Sequence, residues 1–196
     1  PIPQRYTMKR NTLLKTICLT VLVAAWTLPV SAQGSNAEVI GLINMAEEKV
    51  ASLAEAMDDE QWAYRPMEGV RSTSEVFMHI AAANYFIPSL MGVAPPEDFP
   101  VTMGPEGPVG MEEYEAISDR EEVTAELADS FDHVRAALDG VPADRMDDEM
   151  NVFGMTMTVR GFCIFIGTHL HEHLGQLVAY ARANEVVPPW SASEGG

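Results

Sequence analysis

The chain has 196 residues, 29 of them acidic and 12 basic, for a net charge of −17 with histidines neutral. A surface of that sign repels phosphate backbones and excludes nucleic acid as an expected partner. Two cysteines, Cys18 and Cys163, exclude a disulfide-stapled scaffold, and the length suits one ordinary domain with a sizeable core.

The N-terminal stretch reads as a secretory leader. "MKRNTLLK" from Met8 is basic, "TICLTVLVAAWTL" is an apolar run of 13 residues, and "PVSA" before Gln33 supplies small residues at a cleavage site. The apolar run spans roughly 20 Å, short of the roughly 30 Å a transmembrane helix must cross. A signal peptide is therefore expected over residues 1–32, with 1–7 upstream of the true start and one domain over 33–196. No stable membrane insertion is expected after cleavage. The mature chain would hold eight basic against 29 acidic residues, a charge of −21, and one cysteine, Cys163. Its address would be periplasmic or secreted.

Four segments then show helical spacing. Val39, Ile43, Ala46, Val50, Leu53 and Met57 mark the first, with Ser35 or Asn36 as N-cap. Pro66 and Gly69 interrupt it. The second opens at Ser72–Ser74 and runs through Val76, Ile80, Ala83 and Ile87, with Pro88 expected to end or kink it. Residues 92–112 carry five prolines and four glycines, which predicts a long loop without regular structure. The third helix starts near Ser118–Asp119, shows Val123, Leu127, Phe131, Val134 and Leu138, and stops at Gly140–Pro142. Thr156 or Thr158 can cap the last helix, which continues to about Asn184. The fold class is all-α, a four-helix bundle with one long Pro/Gly-rich loop between helices two and three.

Three of the five histidines fall in "THLHEH" of the last helix. Residues four apart share a helical face and residues two apart do not. His169 and His173 therefore face the bundle along an apolar stripe with Phe162, Gln176 and Tyr180, while His171 points outward. His79, in "EVFMHIAAAN", falls on the inner side of helix two. His133 lies beside the Phe131 stripe among charged residues and reads as exposed. A His-x-x-x-His pair is equally well a buried, hydrogen-bonded pair; His79 tips the reading toward a three-histidine metal site. With no fourth protein ligand evident, such a site is open to water or substrate. Glu97 or Glu106 of the loop is the carboxylate that could close it. Glu172 faces neither histidine squarely and makes a poor general base. Trp62 and Tyr180 read as core aromatics and Cys163 as a small buried hydrophobe. The methionines of "EMNVFGMTM" read as core fillers rather than copper ligands.

The segments "WAYRPMEGVRSTSEVFMHIAAAN" and "GMTMTVRGFCIFIGTHLHEHLGQLVAYARANEVVPPW" resemble the DinB/YfiT-like superfamily over nearly all of residues 36–190. The resemblance rests most specifically on the lone helix-two histidine and the final H-x-x-x-H-x-G-Q. It implies a four-helix bundle binding a divalent metal, zinc or nickel, through His79, His169 and His173. Gly175 would then permit close helix packing. Gln176 would be either an outer hydrogen-bonding partner of a ligand or an ordinary buried amide. The resemblance also implies metal-assisted thiol transfer on a small-molecule substrate. Export moves the chain away from cytosolic thiols and sets metal-dependent hydrolysis beside it. A non-catalytic metal- or ligand-binding protein is the alternative, and a homodimer is compatible with a bundle of this kind.

Overall fold

The computed structural model describes residues 35–192, so the leader expected over 1–32 lies outside the described residues. Four long helices carry the fold: α1 (Ser35–Ala56), α3 (Thr73–Ser89), α5 (Arg120–Asp139) and α6 (Val159–Ala183). Short helices α2 (Asp59–Trp62), α4 (Met111–Glu115) and α7 (Pro189–Ala192) sit between or after them.

The bundle's ring order differs from its chain order. Helix α1 packs against α5 and α6, and α3 packs against the same two, so α1 and α3 stand on a diagonal. Sequential elements are usually neighbours; here the connection through α2 crosses the end of the bundle instead. The diagonal brings α3 against α6, and α4 also lies on α3. Covered this way, α3 is apolar nearly all round: from Val76 to Pro88 every residue is buried except His79.

Side-chain caps set where the helices start. Ser72 accepts from Glu75 N while the Glu75 carboxylate accepts from Ser72 N, a reciprocal capping box opening α3. Asp119 accepts from Glu122 N to open α5, and Thr158 accepts from Gly161 N to open α6. Asn36 is not a cap: it lies within α1, and its amide donates to Leu138 O at 2.7 Å, tying α1 to the end of α5. Pro88 stands one residue before the end of α3 at Ser89, in keeping with its expected role as a stop.

The segment 92–112 is not featureless. Strands β1 (Thr102–Gly104) and β2 (Gly107–Val109) form a tight antiparallel hairpin, and α4 begins at Met111. The prolines fit this geometry. Pro105 sits in the turn, and Pro108 lies opposite Met103, one step from the closing pair, where alternate residues point their N–H outward. Gly110 has φ +87° and a Cβ there would stand 3.0 Å from Pro100 O, so this start of α4 requires glycine. The methionine-rich segment carries two core fillers, as expected, on a hairpin. It forms the hairpin β3 (Glu149–Val152) and β4 (Met155–Thr158), with Met150 and Met157 packed against the core and Met155 exposed.

Among the described residues no helix is long and apolar enough to cross a membrane.

Candidate metal centre

The contact between α3 and α6 brings His79, His169 and His173 together. One nitrogen from each ring lies within 4.8 Å of the others. The rings stand 4.4 Å (His79–His173), 4.6 Å (His169–His173) and 5.4 Å (His79–His169) apart, centroid to centroid. Each ring is half-buried, and no Asp, Glu or Cys among the described residues joins the cluster. Glu97 and Glu106 are exposed on the loop and hairpin, so neither closes the site.

Two outer partners fix the rings. Glu115, the last residue of α4, takes His79 Nδ1 on its Oε1 at 2.6 Å. Arg71 grips the same carboxylate with two bonds, Nε to Oε2 at 2.6 Å and an Nη to Oε1 at 3.0 Å. Burial opposes ionisation of Glu115, but the His79 and Arg71 hydrogen bonds outweigh it and hold its pKa below the usual carboxylate range. An ionised carboxylate can only accept, so His79 must donate its Nδ1–H, which leaves Nε2 as the ring nitrogen not engaged by Glu115.

On the other side a directional chain holds His173. Tyr180 OH donates to Arg71 O at 3.1 Å and therefore accepts from Gln176 Nε2 at 2.9 Å. This fixes the Gln176 amide with Oε1 toward His173 Nδ1, at 3.0 Å. His173, like His79, donates from Nδ1, which leaves Nε2 as the nitrogen not engaged by that bond. Arg71 thus supports both histidines, one through its guanidinium and the other through its carbonyl. Beside these residues a cleft of about 600 Å³ opens, with Arg65 and Glu112 on its rim.

The profile of the DinB superfamily matches residues 42–177, about two-thirds of the chain. The chain belongs to the DinB superfamily. Solved structures share the DinB fold at low identity. A DinB-like protein of Bacillus subtilis, YjoA, aligns at a TM-score of 0.56 and 17% identity, covering 76% of this chain and 93% of its own. YfiT from Bacillus subtilis, described as a "probable metal-dependent hydrolase with an unusual four-helix bundle topology", aligns at 0.59 and 14%, covering 81% and 94%. A mycothiol-dependent maleylpyruvate isomerase aligns at 0.56 and 15%, covering 74% of this chain and 61% of its own. No curated protein sequence matches the chain.

Other residues of this DinB bundle fall as follows. His171 is exposed and donates from Nδ1 to Gly167 O at 2.9 Å, away from the cluster. Trp62, Tyr180 and Cys163 are buried, although the Tyr180 hydroxyl belongs to the chain that holds His173. Gly175 does not serve close packing, since it is exposed and a Cβ there would meet nothing within 4 Å. The close approach is at Gly167, where a Cβ would meet Val39 Cγ1 at 3.3 Å across the α1–α6 contact. His133 is not exposed: it is half-buried, meets Tyr85 edge-on at 5.3 Å between centroids, and its Nε2 is buried without a hydrogen-bond partner among the described residues. Sequence reading missed Glu115 and Arg71, which have no motif of their own.

Burial, followed by the neighbouring His173, His79 and Arg71, pushes the His169 pKa down to about 4 from an ordinary 6.5; burial also lowers His173. Below pH 6.5 the unfolded chain therefore takes up protons that the folded chain refuses, so stability falls as pH drops from 6.5 through 4. Glu115 adds a loss in the same direction as pH falls below about 4.5. The metal-free protein is expected to lose about 2 kcal/mol by pH 4 from His169 alone, allowing for its partial exposure. Chemical denaturation of chelator-treated protein at pH 7, 5.5 and 4.5 checks this; an unchanged midpoint contradicts it. The His169→Gln variant should show a flatter profile.

Proposed function

We propose that this protein is an exported, divalent-metal-dependent enzyme in which His79, His169 and His173 hold zinc or nickel, with hydrolysis of a small molecule as its reaction. One observation carries the reading: three imidazoles converge, each half-buried, and no carboxylate or thiolate among the described residues joins them. The donors fit a borderline-soft divalent ion, because burial favours the neutral forms of His169 and His173, and the Nδ1 bonds of His79 and His173 leave Nε2 as the nitrogen for it. When bound, such an ion supplies Lewis acidity that makes a water molecule or a thiol nucleophilic near neutral pH.

The chain's own residues do the rest. Glu115 and Gln176 fix the tautomers and ring planes of His79 and His173, and Arg71 holds both partners in place. The residues flanking the histidines on α3 and α6, Met78, Ile80, Leu170 and Leu174, are buried and apolar. The likeness to YfiT supports hydrolysis, and the leader expected over residues 1–32 would carry the chain away from cytosolic thiols. The likeness to a mycothiol-dependent isomerase keeps thiol transfer as the second reading.

Cobalt-substituted protein separates catalyst from closed binder. Azide and a small thiol such as 2-mercaptoethanol are expected to change the visible spectrum of the cobalt form, because a three-histidine site keeps a position for an outside ligand. A spectrum unmoved by either ligand identifies a closed, non-catalytic metal-binding protein. A spectrum moved only by the thiol favours thiol transfer over hydrolysis.

A further inference from the structure

A second cavity lies on the other flank of α4 and α3, away from the histidine cluster. It measures about 320 Å³, within the range of small-ligand sites. Three aromatic rings build its wall. Tyr85 of α3 meets Phe99 at 5.2 Å between centroids, and Phe99 meets Tyr114 of α4 edge-on at 5.2 Å. Both tyrosines are buried, at 4% and 6% exposure, and Phe99 is half-buried. The face of an aromatic ring carries negative potential, so rings that line a cavity favour a cation that reaches them.

Its charged lining is of one sign. Asp98, from the segment before the hairpin, and Glu126 and Asp129, from α5, line the cavity, and no lysine or arginine does. Tyr114 OH donates to Glu126, while Asp98 and Asp129 have no cationic partner among the described residues. Asp98 and Asp129 are exposed and Glu126 is half-buried, and all three line the cavity beside the aromatic rings. Burial and then the carboxylates Glu126, Asp129 and Asp98 push the Tyr85 phenol well above its ordinary pKa, which reports the same negative field. The last wall is His133. Its Nε2 is buried and unpartnered, and burial lowers its pKa, so the ring is neutral and adds no positive charge. A buried ring nitrogen left without a hydrogen-bond partner is costly unless something that enters the cavity supplies one.

We infer that the Tyr85–Phe99–Tyr114 cavity is a binding site for a protonated organic amine carrying a small apolar body. The ammonium group would sit against the aromatic faces and among Glu126, Asp129 and Asp98, with an N–H within reach of His133. A neutral isostere lacks the charge the carboxylates recognise, and an organic anion is repelled by all three. His133 also lines a separate, larger cavity of about 500 Å³ walled by Leu90, Met91, Ala137 and Val141. Adjacent residues of α4 divide the two sites: Tyr114 closes this cavity, and Glu115 turns to His79. The site is independent of the metal reading, and failure of one leaves the other standing.

Benzylamine titrated into the full chain by calorimetry at low salt tests the inference, with benzyl alcohol and benzoate as the neutral and anionic counterparts. Saturable binding of one benzylamine is expected, with the alcohol roughly tenfold weaker or more and benzoate without measurable binding. Asp129→Asn, which breaks no hydrogen bond within the fold, and Phe99→Ala should each weaken benzylamine severalfold or more, and Glu60→Gln on the distant α2 should not. Glu126→Gln is expected to weaken it most, with its melting temperature measured alongside because Tyr114 loses a partner. No saturable binding of benzylamine, equal binding of benzyl alcohol, or Asp129→Asn and Phe99→Ala both binding like wild type overturns the inference.

Discussion

The His173→Ala protein is expected to purify with no more than a trace of divalent metal, where the untagged wild type holds about one ion per chain. The size of the loss follows from sharing a typical zinc-binding free energy among its ligands, about 3–4 kcal/mol for each, which weakens binding on the order of 10²–10³-fold. Loss of that order is enough to strip metal during gel filtration. His79→Ala and His169→Ala should behave alike, since one nitrogen from each ring lies within the same 4.8 Å cluster. His171→Ala should keep its metal, because that ring is exposed and spends its Nδ1–H on Gly167 O. Elemental analysis of the four variants beside wild type decides the matter. Equal loss in His171→Ala sinks the assignment of faces, and a metal-free wild type that folds sinks the centre itself. Melting with added zinc gives a second view: a ligand of the folded state alone stabilises by RT ln(1 + [L]/Kd), so only chains with an intact cluster should melt higher.

Much of this centre was legible because helical periodicity is a strong signal and histidine is scarce in the chain. Spacing of four places His169 and His173 on one face, and the surrounding apolar residues say which face is inward. The partners were harder to read. Glu115 lies 36 residues from His79 and 44 from Arg71, and nothing in "MEEYEAIS" separates it from the neighbouring acids. It turns inward because α4 starts at Gly110, a position only glycine tolerates, and that start depends on a hairpin hidden by a proline-rich composition. Gly175 shows the converse error. A glycine beside a ligand invites a packing role, yet which face of α6 meets α1 is set by the ring order, and the close approach falls at Gly167. His133 was misplaced for a related reason. Its charged neighbours on α5 suggested an exposed face, but the Tyr85–Phe99–Tyr114 group that covers it comes from elsewhere in the chain.

Glu115→Gln is expected to weaken metal binding about 10–100-fold with little loss of fold. The substitution keeps shape and removes charge, and its effect runs through a proton. In the wild type an ionised carboxylate obliges His79 to donate from Nδ1, leaving Nε2 as the nitrogen for a metal. An amide makes no such demand. With Arg71 still nearby, its oxygen is drawn to the guanidinium and its NH₂ is left for His79, which must then accept at Nδ1 and carry its proton on Nε2. Binding now requires a change of tautomer and the loss of a good hydrogen bond. The fold should tolerate this because Arg71 is 38% exposed and can turn to water when the ion pair is gone. Gln176→Ala should weaken binding less than Glu115→Gln, since it removes a neutral acceptor from His173 and leaves no competing donor. Competition against a calibrated chelator, with thermal melting of the metal-free forms as the control for folding, gives both numbers. Wild-type affinity in Glu115→Gln would reduce the Arg71–Glu115–His79 line to a helix-packing device, whereas a loss confined to the metal-bound form shows that it sets the tautomer of a ligand.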